Sequence, residues 1–171
     1  FRTCPACRKS SKIFRLQVGT TYDATAKQLI AKLKYDGAQV AAIEISSFIF
    51  RLTTFTKDCV FVPVPTATTR VRRRGYDQAK LIARSLAKKH QLPYFDCLMR
   101  SGQTHQIGAN RQRRLKQLAD AYRINGLYDV TSMHIVLVDD VSTTGATLEA
   151  AAQCLKSAGA KRVEAVVVAQ A

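Results

Sequence analysis

Two adjacent carboxylates and a run of small, hydroxyl-bearing residues stand together near the C-terminus of this 171-residue chain. Asp139 and Asp140 follow the apolar residues 135–138, and after Val141 come Ser142, Thr143, Thr144, Gly145, Ala146 and Thr147. Small residues directly before a helix leave backbone N–H groups free to point at an anion, and the helix N-terminus adds positive potential. Carboxylates nearby suit vicinal hydroxyls, each of which is a donor that needs an acceptor. The pattern predicts a site for ribose 5-phosphate, a monophosphate joined to a diol.

An ordinary helix start is the alternative interpretation. Asp140 would then cap the following helix, and the threonine-rich segment would be a turn. That interpretation accounts for one carboxylate and one hydroxyl, but it leaves Asp139, the other threonines and Gly145 without a role. We therefore favour the anion site.

The segments around this site alternate between strand and helix patterns. Predicted strands cover residues 60–65, 121–124, 135–138 and 162–169. Predicted helices cover residues 24–33, 38–55, 77–90, 111–120 and 147–158. Residues 98–110 have no hydrophobic period and are predicted to form a long loop. Strand, helix, strand with short connections is a parallel crossover unit, so we expect an α/β fold with helices on both faces of a mainly parallel sheet.

The charge balance is strongly positive, with 27 Lys and Arg against 12 Asp and Glu and a formal net charge of +15. A domain this basic usually binds polyanions such as nucleic acid, phosphorylated metabolites or a membrane surface. The alternative is that the positive charge only keeps the protein soluble. Basic residues cluster within 70–89 and 111–116, which favours a positive face. No apolar run approaches the roughly 20 residues that cross a bilayer, so we expect no membrane insertion.

The five cysteines fall into two groups. Cys59, Cys97 and Cys154 lie in apolar or helical patterns and are expected to be small buried residues in a reducing compartment, which predicts a cytoplasmic protein. Cys4 and Cys7 have the C-x-x-C spacing of half a zinc site. They are expected to bind Zn²⁺ only with a second cysteine pair upstream.

Residues 138–147, VDDVSTTGAT, closely resemble the phosphoribosyl pyrophosphate motif of type I phosphoribosyltransferases. Other segments resemble the ComF family of competence proteins, including its GntX-like members. These are VPVP at 62–65 with RGYDQA at 74–79, KLKYDG at 32–37, CPAC at 4–7, and Gln106 with Arg111 and Arg114 leading to Ala121-Tyr122. The resemblance implies a type I phosphoribosyltransferase-like domain over residues 16–171, preceded by a small cysteine-containing remnant of a zinc-ribbon-like module over residues 1–15.

Roles for individual residues follow from the same resemblance. Asp139 and Asp140 are implied as the catalytic, substrate-orienting carboxylates that hold the ribose hydroxyls, and residues 142–147 as the loop around the 5-phosphate. Mg²⁺ is expected to arrive with the pyrophosphate. Residues expected at the pyrophosphate or in a hood over the ligand are Thr66, Arg70, Arg74, Gln106 and Arg111. Residues expected to contact DNA are Arg72, Arg73, Arg74, Arg113 and Arg114.

The resemblance implies a protein that binds phosphoribosyl pyrophosphate and acts in the uptake or handling of single-stranded DNA during natural transformation, with a competence helicase as a partner. Two other functions stay open. One is an active phosphoribosyltransferase of nucleotide metabolism with an unknown acceptor base, and the other is a non-catalytic sensor of phosphoribosyl pyrophosphate. The chain departs from the family pattern at Asp77 and Gln117, where asparagine is usual, and at Ser142, where a larger residue is frequent.

Overall fold

A four-stranded parallel sheet lies at the centre of the computed structural model, which describes residues 11–32, 38–67, 71–72, 75–101 and 121–171. The strands are β1 Leu16–Thr21, β2 Cys59–Pro63, β3 Leu98–Arg100, β4 Tyr122–Ile124, β5 His134–Ser142 and β6 Arg162–Gln170. The helices are α1 Ala24–Lys32, α2 Ala38–Leu52, α3 Gln78–His90 and α4 Ala146–Ser157. The sheet has the order β1-β6-β5-β2, so β2, which ends in proline, lies at an edge of the four-stranded sheet.

Alternate side chains of β5 face different helical layers. Ile135 and Leu137 are buried in one apolar cluster with Leu148 of α4, whereas Val136 and Val138 are buried in a second cluster with residues of α1, α2 and α3. Because helices cover both faces of the sheet, its central strands are apolar along most of their length. The predicted α/β arrangement is confirmed, and β5, α4 and β6 form the predicted crossover unit.

Strand β1 is missing from the sequence-based prediction, which leaves residues 16–21 unassigned. It pairs with β6 in parallel, from Leu16 beside Ala165 to Thr21 beside Gln170. Its sequence, LQVGTT, is polar and mostly half-buried, so it lacks the apolar alternation that marks a strand. A Cβ atom at Gly19 would lie 2.7 Å from the carbonyl oxygen of Val168, so this strand requires glycine where it approaches β6.

Other boundaries also differ from the prediction, since α2 ends at Leu52 and not at residue 55, and β2 ends at Pro63 and not at residue 65. Residues 98–100 are not loop but strand β3, which pairs antiparallel with β4, the strand predicted over 121–124. Leu98 pairs with Ile124, so the signal for β3 lies in a partner distant along the chain. Strand β5 extends four residues beyond the predicted end, to Ser142. The rest of the predicted loop, from residue 102, and the predicted helix at 111–120 lie outside the described residues.

Among the helices that the structure describes, none is long and apolar enough to span a membrane.

Candidate functional site

The carboxyl end of β5 carries the two predicted carboxylates. Asp139 Oδ1 accepts a hydrogen bond from the N–H of Asp140 (2.8 Å), and Asp140 Oδ1 accepts one from the N–H of Val141 (2.7 Å). Both aspartates are half-buried, and their two carboxyl groups are near enough to share a hydrogen bond when one of them is protonated. Apart from that contact, no donor among the described residues bonds to the Oδ2 atom of either. Each carboxylate therefore keeps one oxygen for a ligand hydroxyl.

The two carboxylates are close enough to influence each other. Burial raises the pKa of Asp139 well above its ordinary value, and the charge of Asp140 raises it further. The Asp77 carboxylate adds to the same effect. A ligand that donates hydrogen bonds to the ionised Asp139 would stabilise that charged form, so the site suits a diol.

The segment between β5 and α4 presents open donors. Gly145 is the N-cap residue of α4 in the left-handed conformation (φ 74°, ψ −3°), which favours glycine and provides no side chain to cap the helix. The Thr144 hydroxyl accepts a long hydrogen bond from the N–H of Ala146 (3.4 Å). Thr143 and Thr144 are exposed, and their N–H groups and that of Gly145 donate to no acceptor among the described residues. Asp140 bonds to Val141 and not to α4, so the interpretation of Asp140 as a helix cap is wrong. This geometry fits one phosphate group.

Ser142 and Glu149 lie on either side of this loop. Ser142, predicted as part of the loop, is buried within β5, where its carbonyl oxygen accepts from the N–H of Ala171 (3.0 Å). Glu149 lies in the first turn of α4, where its charge would oppose a bound anion. Its carboxylate, however, accepts hydrogen bonds from the Ser11 hydroxyl (2.8 Å) and the Lys12 N–H. These contacts reduce the electrostatic repulsion between Glu149 and a bound anion.

The segment after β2 forms a second wall of the site. The N–H of Val64 donates to the carbonyl oxygen of Val138 (2.9 Å), which extends the pairing of β2 with β5. The N–H and the hydroxyl of Thr66 then donate to the two oxygens of Asp77, at 2.9 and 3.1 Å. Asp77 is buried and is also the N-cap residue of α3, where it accepts from the N–H of Lys80 (3.4 Å). Its side chain therefore joins the exit of β2 to the start of α3.

Arg100 and Tyr122 belong to the same region, although neither is among the predicted site residues. They are register partners of β3 and β4, and the guanidinium of Arg100 lies 5.9 Å from the centre of the Tyr122 ring. Burial raises the pKa of Tyr122, the Arg100 charge lowers it, and the charges of Asp139 and Asp77 raise it. The pair is thus within electrostatic reach of the carboxylates. Tyr122 ends one of the segments that resemble the ComF family, but no local pattern indicates Arg100, because only strand pairing brings the two residues together.

Several predicted site residues lie outside the described part of the chain. They are Arg70, Arg73, Arg74, Gln106, Arg111, Arg113, Arg114, Cys4 and Cys7. Of the predicted DNA contacts the structure describes Arg72, which is exposed. Among the described His, Cys, Asp and Glu residues, no group of three is arranged to hold a metal ion.

Comparisons with known sequences agree on one family. A family model described as phosphoribosyl transferase domain matches residues 38–171. Competence protein ComFC of Streptococcus pneumoniae is 27% identical over 94% of this chain and 77% of its own length. Competence protein ComFC of Bacillus subtilis is 32% identical over 81% of this chain and 57% of its own length. DNA utilization protein YhgH of Escherichia coli O157:H7 is 29% identical over 88% of this chain and 69% of its own length.

A solved structure shares the fold. It is glutamine phosphoribosylpyrophosphate (PRPP) amidotransferase from B. subtilis, complexed with ADP and GMP, which matches with a TM-score of 0.55 and 18% identity. The match covers 75% of this chain and 26% of the amidotransferase. At this identity the likeness concerns the fold alone.

Proposed function

The chain belongs to the phosphoribosyl transferase domain family, with ComF-type competence proteins among its relatives, and from that premise we propose that it binds phosphoribosyl pyrophosphate or another ligand containing ribose 5-phosphate. The type I phosphoribosyltransferase fold expected from the sequence is confirmed. One observation carries the proposal: two carboxylates, each with an available oxygen, lie directly before open backbone donors at a helix N-terminus. In this proposal the ribose hydroxyls donate to Asp139 and Asp140, and the 5-phosphate accepts from the N–H groups of residues 143–145.

Metal ions enter this proposal in two places. Mg²⁺ fits as a companion of the ligand's diphosphate, because two adjacent carboxylates lie in the proposed site. When bound there, it neutralises part of the diphosphate charge. Structural Zn²⁺ on Cys4 and Cys7 is a separate proposal and requires a second cysteine pair.

We further propose a cytoplasmic role in the uptake or handling of single-stranded DNA during natural transformation, with a competence helicase as a partner. The relatives named competence protein and DNA utilization protein support this role. The net charge of +15 supports it independently, because phosphate contacts dominate nucleic-acid affinity. Cys59 and Cys97, which are buried free thiols, support the reducing compartment.

Phosphoribosyl transfer to an unknown acceptor base is a second candidate function. The match to a transferase domain over residues 38–171 favours it. A transferase would release diphosphate from phosphoribosyl pyrophosphate when the correct nucleobase is added. A non-catalytic sensor would be stabilised by the ligand without releasing diphosphate with any base.

Ligand-dependent stabilisation tests the proposed binding site. Saturating ribose 5-phosphate, or phosphoribosyl pyrophosphate with Mg²⁺, is expected to raise the melting temperature by roughly 5–10 °C, the effect of ligand at about 100 times Kd on a domain of this size. The double variant Asp139→Asn/Asp140→Asn should lose this shift. The matched control Asp58→Asn/Asp129→Asn removes two exposed carboxylates that precede β2 and β5, and it should keep the shift. A wild-type protein that responds to neither ligand would contradict the proposal.

Salt dependence tests the DNA-handling role. Binding of a single-stranded oligonucleotide, followed by fluorescence anisotropy, is expected to weaken steeply as salt rises. The variant Arg72→Gln/Arg73→Gln/Arg74→Gln should reduce the slope of log K against log salt by about 2, since each lost phosphate contact contributes about 0.7. Neutralising three exposed residues that precede β2 or β6, Arg51, Lys57 and Lys161, is the control and should leave the slope nearly unchanged. Equal effects of the two variants would exclude a specific role for Arg72–Arg74.

A further inference from the structure

The two ends of the proposed site differ in how many donors they leave open. At the α4 end, the N–H groups of Thr143, Thr144 and Gly145 have no acceptor among the described residues. At the β2 end, both donors of Thr66 already bind the two oxygens of Asp77. A phosphate at the α4 end therefore finds free donors, whereas an anion at Thr66 must displace a carboxylate.

Charge adds to the difference between the two ends. Asp77 is 7% exposed, so water screens its charge poorly, and that charge reaches Asp139 and Tyr122 on the facing elements. A second anionic group entering beside Thr66 meets this carboxylate at short range. Among the described cations near the start of α3, Lys80 is already paired with Asp96 (2.7 Å) and Arg72 is exposed to solvent.

We infer that Asp77 sets the ligand preference of the site, favouring ribosyl ligands that carry one phosphate over ligands that carry an additional diphosphate. Ribose 5-phosphate and nucleoside 5′-monophosphates belong to the favoured class, and phosphoribosyl pyrophosphate belongs to the disfavoured one. This inference rests on the proposed function, because it concerns the same site.

Isothermal titration calorimetry with ribose 5-phosphate and with phosphoribosyl pyrophosphate, both in the presence of Mg²⁺, tests the inference through the ratio of the two dissociation constants. Asp77→Asn and Asp77→Ser remove the charge but keep a good N-cap residue for α3. Each is expected to shift the ratio about tenfold in favour of phosphoribosyl pyrophosphate, the size expected for one poorly screened charge nearby. The control Asp58→Asn removes an exposed carboxylate directly before β2 and should leave the ratio within about twofold of wild type.

Ribose 5-phosphate serves as the internal control in every variant, since its binding reports that the site is folded. A ratio that moves less than about threefold in both Asp77 variants, while ribose 5-phosphate still binds, overturns the inference and leaves the proposed function standing. A wild-type protein that binds neither ligand overturns both. Loss of ribose 5-phosphate binding in both Asp77 variants also overturns the inference, because Asp77 would then support the whole site and not the diphosphate preference.

Discussion

Replacing Asp139 with asparagine is expected to raise the melting temperature of the ligand-free protein and to remove its response to ribose 5-phosphate. Burial and the neighbouring charge of Asp140 raise the pKa of Asp139, so the ionised carboxylate destabilises the folded state at neutral pH. Asparagine keeps an oxygen that accepts from the N–H of Asp140 but carries no charge. The expected gain is about 1 kcal/mol, or roughly 2–4 °C for a domain of this size. Functional sites often show this exchange of stability for binding.

The pH dependence of the same variant has a definite sign. Because the folded-state pKa of Asp139 lies above the ordinary value of 3.8, protonated Asp139 favours folding, and this contribution is lost as pH rises through the folded-state pKa. The difference in melting temperature between Asp139→Asn and wild type should therefore be small below about pH 4 and grow towards neutral pH. Differential scanning calorimetry across this range measures it.

Asp129 is a control residue, because its replacement is expected to change the melting temperature in the opposite direction. This exposed residue accepts a hydrogen bond from the N–H of Thr131 (2.8 Å), and that hydrogen bond lowers its pKa. Its ionised form therefore favours folding, so Asp129→Asn should lower the melting temperature at neutral pH and not raise it. If Asp139→Asn lowers the melting temperature at neutral pH, as Asp129→Asn is expected to do, the raised pKa of Asp139 is contradicted.

Local patterns allowed much of the fold and the centre of the site to be predicted. The crossover unit β5-α4-β6 and the residues of Asp139–Gly145 are contiguous, so periodicity and residue type are sufficient to identify them. The contact of Thr66 with Asp77 joins residues eleven positions apart, and Arg100 meets Tyr122 only through strand pairing. Such contacts depend on how distant segments fold against each other. Strand β1 was unpredictable for the same reason, because its partner β6 determines it.

A buried carboxylate, that of Glu164, lies near the amino end of the sheet, opposite the proposed site. Glu164 of β6 is 1% exposed, its Oε2 atom accepts a hydrogen bond from Arg15 Nε (2.8 Å), and its Oε1 atom forms an ion pair with Arg162 Nη2 (2.7 Å). His134 Nε2 of β5 lies 3.3 Å from Glu164 Oε1. Arg15 also donates to the carbonyl oxygen of Thr54 (2.8 Å), after the end of α2. One carboxylate thus connects the residue before β1, the start of β5 and the start of β6.

Substituting this carboxylate, Glu164→Gln, is expected to give a large loss of stability. The amide oxygen of glutamine can accept from one arginine, but the amide nitrogen is a donor and would face the other, so one buried contact is lost and both cations lose their charged partner. Both arginines are about one-third exposed and can regain water, which places the expected loss at about 3 kcal/mol, the lower end for a broken buried pair. For a domain of this size, that loss corresponds to roughly 6–12 °C in melting temperature.

Two controls accompany Glu164→Gln, one for stability and one for ligand binding. Asp96→Asn breaks the Lys80–Asp96 pair, whose side chains are 34% and 28% exposed, and it should lower stability by less than about 1 kcal/mol. A Glu164→Gln loss no larger than that of Asp96→Asn, measured by urea denaturation, would show that the buried cluster contributes little. At a temperature where Glu164→Gln is folded, its affinity for ribose 5-phosphate should equal that of wild type, because Glu164 and the proposed site lie towards opposite ends of the sheet. Stability and ligand binding would then be assigned to two different carboxylates, those of Glu164 and Asp139.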